Sequence, residues 1–355
     1  MTTFDLERLS VLIVDDNQFM RTLLGRVLRS LNVRQILHAA DGAEAITIIK
    51  EIHTHPQKSG VQRLDLVICD WVMSPVDGAM LLRWIRRHKD SPNKFLPFIM
   101  ISAIAEADKV MEARNLGANE FLAKPFSINT IATKLTALID KPRHYIYTKD
   151  YFGPDRRRHQ IPIKGENRRT ATKENIEIIH NGKIPSTFKE GIKAYYLRVP
   201  NKLRDLVGGL GQASTPFAID EALLEAAAEE LVSMEADYAD WVKDTVSFLR
   251  TTHLALKEQP KNHWKYFRII NTLAHELRGQ GSTFGYPLVT EFGKSLFNYT
   301  KIDVKPDERF IELIHAHIES IQAVVRERIK GDGGEVGKII VETLNLAKTR
   351  YNARD

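Results

Sequence analysis

In the first 140 residues, apolar runs end on polar side chains. Residues 11–14 lead into Asp15 and Asp16, residues 64–69 into Asp70, residues 97–101 into Ser102, and residues 120–123 into Lys124 and Pro125. If the runs are strands of one parallel sheet, these side chains gather at one edge. Three carboxylates held together repel one another and raise their own pKa values unless a cation intervenes. Hard oxygen donors with room for water suit Mg2+, which demands octahedral geometry and keeps part of its hydration shell. One carboxylate can then act as a nucleophile toward phosphorus, while the metal and a lysine ammonium neutralise the equatorial oxygens of the transferring group. The Ser102 hydroxyl can hydrogen-bond the group once it is attached. Taken singly, the residues have plainer explanations: Asp15 and Asp16 as helix caps, Ser102 as the start of a helix, Lys124 as a surface cation. The plain explanations do not account for all of them standing at strand ends together.

A second candidate lies in WKYFRIINTLAHELRGQGSTFG, residues 264–285. Phe267, Ile270, Ala274, Leu277, Gly281 and Phe284 alternate three- and four-residue steps and form the apolar stripe of a helix. His275 stands one residue off that stripe, which predicts a ring at its margin facing solvent, with Arg278, Gly279 and Ser282 on the same face. Neutral imidazole is a good nucleophile toward phosphorus near its ordinary pKa of about 6.5, and Arg278 can steady a transferred anion by charge-assisted bonds. Glycines inside a helix cost about 1 kcal/mol each relative to alanine. Gly279 beside an exposed imidazole suggests bare backbone kept open for a partner's approach. The alternative is an ordinary surface histidine with glycines that serve close helix packing. His53, His55, His88 and His263 carry no comparable pattern.

These side chains need elements to position them. Between the apolar runs of the first 140 residues lie segments with apolar residues at three- and four-residue spacing, such as Phe19, Leu23, Val27 and Leu31. Five strands, the second at 35–38, alternating with five helices imply an α/β doubly wound parallel sheet covered on both faces, whose ligands sit outside the carboxyl ends of the strands. Residues 141–217 read differently. Pro142, Pro154, Pro162, Pro185, Pro200 and Pro216 punctuate them, with basic clusters Arg156-Arg157-Arg158 and Arg168-Arg169. Asn181-Gly182 is a candidate hairpin turn between 176–179 and 183–184, and 194–199 is a candidate strand. The expectation here is a basic linker with little regular structure. From residue 218 the chain reads as a separate all-α antiparallel helical bundle, with helices at 220–257, 262–284, 287–299, 307–329 and 336–351 joined by short connections.

Composition sets outer limits. The 355 residues suggest two or three domains, and a single cysteine, Cys69, excludes an intramolecular disulfide framework and a Cys-based zinc site. The most apolar stretch, residues 95–105, is short and contains Pro97 and Ser102, whereas a membrane helix needs about 20 apolar residues. The first ten residues lack the pattern of a signal peptide, so the expected location is cytoplasmic, with no membrane partner. The net charge of +6 is uneven: +1 over residues 1–140, +9 over 141–205 and −4 over 206–355. A basic linker between two near-neutral domains is a weak signal for nucleic acid, and the reading leaves nucleic acid out of the expected partners.

The segments VLIVDDNQFMR, AADGAEAI, LVICDWVMSPVDG, MISA and GANEFLAKPF resemble the receiver domain of two-component response regulators, and most closely the single-domain chemotaxis type. The resemblance covers about residues 10–138 and implies a flavodoxin-like fold. It implies Asp70 as the phosphoacceptor. Asp16 would be a direct Mg2+ ligand, Asp15 a second, water-mediated or direct, and the backbone carbonyl of Val72 another. Ser102 and Lys124 would be the switch and the phosphate-binding cation, and Phe121 the aromatic that swings inward on activation. One departure is visible: Ser74 stands where the family has its proline, and Pro75 follows.

The run HELRGQGSTFG resembles the histidine-containing phosphotransfer (HPt) domain, whose accepting histidine is followed by Lys at the third position, Gly at the fourth and Gly at the tenth. His275, Gly279 and Gly285 match, and Arg278 and Gln280 replace the lysine and a small residue. The resemblance implies a phosphorelay protein built from a receiver, residues 1–140, and an HPt-like bundle, residues 218–355, with Arg278, Gly279, Ser282 and Gly285 supporting His275. The glycine-rich ATP-binding boxes of a histidine kinase are not seen, so the expected phosphate source is a partner: a sensor histidine kinase, or another receiver or HPt protein. The rival expectation keeps the receiver as a switch and makes the bundle a docking or dimerisation module, which adds a homodimer to the partners considered.

Overall fold

A computed structural model describes residues 5–103, 107–157, 175–180, 183–208, 217–259, 263–300 and 307–352. The chain divides into two compact units, Met1–Ala123 with Ile128–Glu230, and Leu231–Asp355 with Lys124–Ser127.

In the first unit five strands, β1 (Ser10–Val14), β2 (Gln35–Ala39), β3 (Leu66–Asp70), β4 (Phe98–Ser102) and β5 (Glu120–Ala123), pair in parallel in the order β2-β1-β3-β4-β5. Strands β1, β3 and β4 are buried along their whole length, which is why they read as unbroken apolar runs, while β2 and β5 at the edges are partly open. Helices α1 (Gln18–Ser30), α2 (Gly42–Thr54), α3 (Pro56–Ser59), α4 (Gly78–Arg87), α5 (Ala107–Leu116) and α6 (Ile128–Asp140) connect and follow them. Three helices begin on side-chain caps: Asn17 accepts the N–H of Met20, Asp41 those of Ala43 and Glu44, and Asp77 that of Met80. Each cap satisfies donors that the first helical turn leaves without partners. The five-stranded, doubly wound parallel sheet expected from the sequence is present.

The stretch expected to have little regular structure is different. Strands β6 (Tyr145–Tyr147), β7 (Phe152–Pro154), β8 (Ile176–Ile179) and β9 (Ala194–Leu197) form a second sheet in the order β7-β6-β9-β8, and α7 (Lys202–Gly208) follows. Its core is Tyr145, Phe152, Tyr195 and Leu197, with Phe95, Tyr147 and Phe188 packed against them. The candidate turn Asn181-Gly182 lies outside the described residues. Strand β9 falls on the strand expected at 194–199 and pairs in parallel with β8, whereas 183–184, the expected hairpin partner of 176–179, is not a strand. Part of the basic charge is engaged. Arg157 bonds both carboxylate oxygens of Asp155 at 3.0 Å, and the Arg156 guanidinium lies 4.7 Å from the centroid of the Tyr151 ring. Arg158 and Arg168-Arg169 lie outside the described residues.

The remainder is largely helical. The helix expected at 220–257 is two, α8 (Glu221–Ser233) and α9 (Glu235–Glu258), separated at Met234. Then come α10 (His263–Gln280), α11 (Pro287–Tyr299), α12 (Glu308–Arg326) and α13 (Gly334–Asn352). Helix α10 packs on α9 and α11, and α12 packs on α9, α11 and α13. The core between them contains Leu249, Phe267, Ile270, Leu277, Phe292, Leu296, Phe310 and Ile318. No described helix is long and apolar enough to cross a membrane.

Candidate functional site

The strand ends of the first unit bring the predicted residues into register. Val14 on β1 lies opposite Cys69 on β3, so Asp15 continues β1 at the level of Asp70. Asp70 lies opposite Ile101, and Ser102 opposite Ala123, the residue before Lys124. Asp15, Asp70 and Ser102 are buried, Asp16 and Val72 are exposed, and Phe121 and Lys124 are half-buried. One Asp70 oxygen, Oδ2, accepts the N–H of Val72 at 3.1 Å. Oδ1 of Asp15 accepts the N–H of Asn17 at 2.9 Å. The cap of α1 is Asn17, so neither Asp15 nor Asp16 is needed for the plain capping role. Arg21 braces the turn by donating from Nη1 to the backbone oxygens of Asp15 at 2.6 Å and Asp16 at 3.1 Å.

Two glycines shape this edge that sequence reasoning left without a role. A Cβ at Gly78 would lie 2.2 Å from the Asp70 carbonyl oxygen and 3.1 Å from Cys69 Sγ. A Cβ at Gly42 would lie 2.6 Å from Val76 Cγ1, and the Gly42 N–H donates to the Val76 carbonyl at 2.9 Å. Both glycines therefore let the loop after β3 fold tightly against its surroundings. The signal was present, as each follows an aspartate that caps the next helix, Asp41 and Asp77. Trp71, 7% exposed, packs in the core, with Lys109 Nζ 4.9 Å from its ring centroid. The Ser74–Pro75 and Lys124–Pro125 peptide bonds are cis.

The donors at this edge are all oxygens, which fits a hard divalent cation. Among the described residues, however, no three acids, imidazoles or thiols converge closely enough to enclose an ion.

In the second unit, His275 and Arg278 do not face solvent as the stripe argument predicts: each is only 8% exposed. Helix α11 packs closely on this turn of α10. A Cβ at Gly293 would lie 2.7 Å from the Arg278 backbone nitrogen, and this contact brings Phe297, one turn on, over the face. The His275 and Phe297 ring centroids are 5.4 Å apart, and the Arg278 guanidinium lies 5.2 Å from the same ring. Burial, reinforced by the Lys124 charge and then by that of Arg278, pushes the His275 pKa down to about 3, and Nδ1 is sealed without a hydrogen-bond partner.

Ser282 and Gly285 are also placed differently. The α-helix ends at Gln280 and continues as a 3-10 turn, Gly281–Phe284, so the seven-residue step from His275 no longer keeps Ser282 on one face. The Ser282 N–H donates to Thr290 Oγ1 at 2.8 Å. Gly285 closes the turn at φ +80°, a conformation for which glycine is the natural residue. Gly279 is buried with the rest of its turn.

Residues 11–136 match the family described as "Response regulator receiver domain". Chemotaxis protein CheY-3 of Vibrio cholerae serotype O1 is 32% identical over 135 residues, which is 38% of this chain and 95% of that protein. Chemotaxis protein CheY of Pseudomonas aeruginosa is 31% identical over 133 residues, 38% of this chain and 98% of that protein. Among solved structures, the CheX–CheY–BeF3–Mg2+ complex of Borrelia burgdorferi is 30% identical with a TM-score of 0.31, covering 37% of this chain and 88% of that one.

Proposed function

The chain belongs to the response regulator receiver family through residues 11–136, and from that membership we propose that it acts in a His–Asp phosphorelay. In this reading the receiver takes a phosphoryl group on Asp70, and an HPt-like bundle, residues 218–355, exchanges one on His275. The observation that carries the reading is the strand register that levels Asp15 with Asp70 and puts Ser102 beside the residue preceding Lys124.

A carboxylate oxygen of Asp70 forms the new bond to phosphorus as the nitrogen–phosphorus bond of a partner's phosphohistidine breaks, and the released imidazole takes a proton. The Val72 N–H holds Oδ2 and so orients the carboxylate for attack. The Lys124 ammonium neutralises a phosphoryl oxygen, and the Ser102 hydroxyl donates to the attached group. Phe121 follows by turning inward. Asp15, Asp16, Asp70 and the carbonyl of Val72 would hold Mg2+, which supplies charge neutralisation for the phosphoryl oxygens.

In the bundle, the depressed pKa keeps the His275 imidazole neutral, with a lone pair for phosphorus, throughout the physiological range. Arg278 lies one turn on, where its charge can meet the transferred anion. The expected partners are a sensor histidine kinase and other receiver or HPt proteins, in the cytoplasm.

The burial of His275 and Arg278 favours a second reading, in which the bundle is a docking or dimerisation module that carries no phosphate and the receiver alone is switched. Incubation with a cognate phosphorylated receiver separates the two. Acid-labile phosphate on the bundle, lost in His275→Gln, supports the relay. No labelling of wild type leaves the docking module, and equal labelling of wild type and His275→Gln would remove His275 as the acceptor.

A further inference from the structure

The first unit contains a cavity of about 500 Å3 at the amino ends of β3, β4 and β5, the sheet edge opposite Asp15 and Asp70. One wall is formed by residues that lead into those strands, including Leu64, Phe95 and Pro97. Another is formed by Ile49 and Ile52 of α2, and a third by Val199 and by Leu203 at the start of α7. That third wall is fixed in place. Asn201 Nδ2 donates to the Ile139 carbonyl at 2.6 Å, and Arg204 forms an ion pair with Asp140. The cavity is thus pre-formed, and its volume lies in the range of small-molecule sites, roughly 300–1,000 Å3.

Its chemistry is asymmetric. Buried polar groups at the deep end are satisfied internally: Asn119 Oδ1 accepts from Arg86 Nη2 at 2.8 Å and from the Phe98 N–H at 3.0 Å, and the Tyr145 hydroxyl donates to the Phe95 carbonyl at 2.9 Å. With no unspent donor there, the deep end accepts an apolar body and gains little from water. The rim is basic. Arg63, Arg143 and Lys202 line it with one carboxylate, Asp65, which is bonded by Arg63 at 2.7 Å and by Ser10, while Arg143 pairs with Glu120 at 3.9 Å. Lys202 is exposed and forms no ion pair among the described residues.

We propose that this cavity binds a small amphipathic acid: an apolar, ring- or chain-like body seated against Leu64, Phe95, Val199 and Leu203, with one anionic group at Lys202. Such a ligand bridges the lower edge of the receiver sheet and the segment leading into α7, and it stabilises the first unit by mass action. The proposal does not depend on phosphotransfer.

Titration of the full chain with 8-anilinonaphthalene-1-sulfonate, an apolar ring system with one sulfonate, tests it by fluorescence. One saturable site per chain is expected, displaced by decanoate and not by decylamine. Val199→Trp, which fills the cavity, should weaken dye binding roughly tenfold, and Lys202→Glu, a surface change that leaves the fold intact, about threefold. Melting temperatures of both variants report that they are folded. Wild-type dye affinity in Lys202→Glu, displacement by decylamine as effective as by decanoate, or absence of a saturable site would each overturn the proposal.

Discussion

Gly78 sits so close to the end of β3 that a Cβ there would lie 2.2 Å from the carbonyl oxygen of Asp70. The start of α4 therefore helps to set the backbone of the proposed phosphoacceptor. Gly78→Ala must push one of the two chains away. Overpacking of this kind costs about 1–3 kcal/mol, and the variant should melt several degrees lower and phosphorylate more slowly. A thermal melt alongside a phosphodonor time course checks both, and unchanged values in both would remove Gly78 from the site's architecture.

Lys124 has a separable role. It is proposed to neutralise the phosphoryl group and not to hold the metal, so Lys124→Ala should slow phosphorylation by about tenfold or more, given typical contributions of transition-state charge stabilisation. Mg2+ affinity should change little. Quenching of Trp71 fluorescence by Mg2+, combined with a phosphorylation rate, distinguishes the two effects, and a wild-type rate in the variant contradicts the role.

Acid stability depends on two buried histidines of the bundle. His317 is fully buried, with Nδ1 2.8 Å from the Leu313 carbonyl and Nε2 2.9 Å from Ser295 Oγ. The Leu313 carbonyl can only accept, so the ring donates from Nδ1. Burial, partly offset by the bond to Leu313, pushes its pKa down to about 4, and His275 is lowered in the same direction. The unfolded chain protonates these rings first, near about pH 6.5. Their stabilisation is therefore complete above that value and drains away as pH falls toward the folded-state values. His317 alone should account for about 2 kcal/mol between roughly pH 7 and pH 5. Urea unfolding at the two pH values tests this, and His317→Gln should flatten the slope.

The central sheet was legible because β1, β3 and β4 are buried on both faces and each ends on a polar residue, so composition and function gave the same boundaries. The second sheet is legible only in part: β8 and β9 fall on the expected segments 176–179 and 194–199, whereas β6 and β7 do not show. Its strands are three or four residues long, too short for alternation to show, and its aromatic core draws Phe95 from the first sheet's surroundings together with Phe188, which lies outside any strand. In the bundle, the apolar stripe of α10 was read correctly. The burial of His275 was not, because it depends on tertiary packing that includes Phe297 and the neighbouring Lys124. Ser282 was misplaced because counting by turns assumes that the α-helix continues, and it stops at Gln280.

Arg278 tests the relay reading of the bundle without removing the nucleophile. Its guanidinium supplies charge and forms no bond to phosphorus, so Arg278→Ala should slow transfer to the bundle without abolishing it. Gly279 is buried, so Gly279→Leu overpacks its surroundings and should lower the melting temperature. Phosphotransfer from a labelled receiver, read beside melting temperature, checks the pair. An unchanged melting temperature in Gly279→Leu would remove that glycine from the packing.

Asp70 is the residue on which the whole relay turns. Full-length protein incubated with a small-molecule phosphodonor and Mg2+ should gain a single acid-stable, base-labile phosphoryl group, located on Asp70 by mass spectrometry and absent from Asp70→Asn. A phosphoryl group that persists in Asp70→Asn, or that maps to another strand-end residue of the wild type, would contradict the assignment.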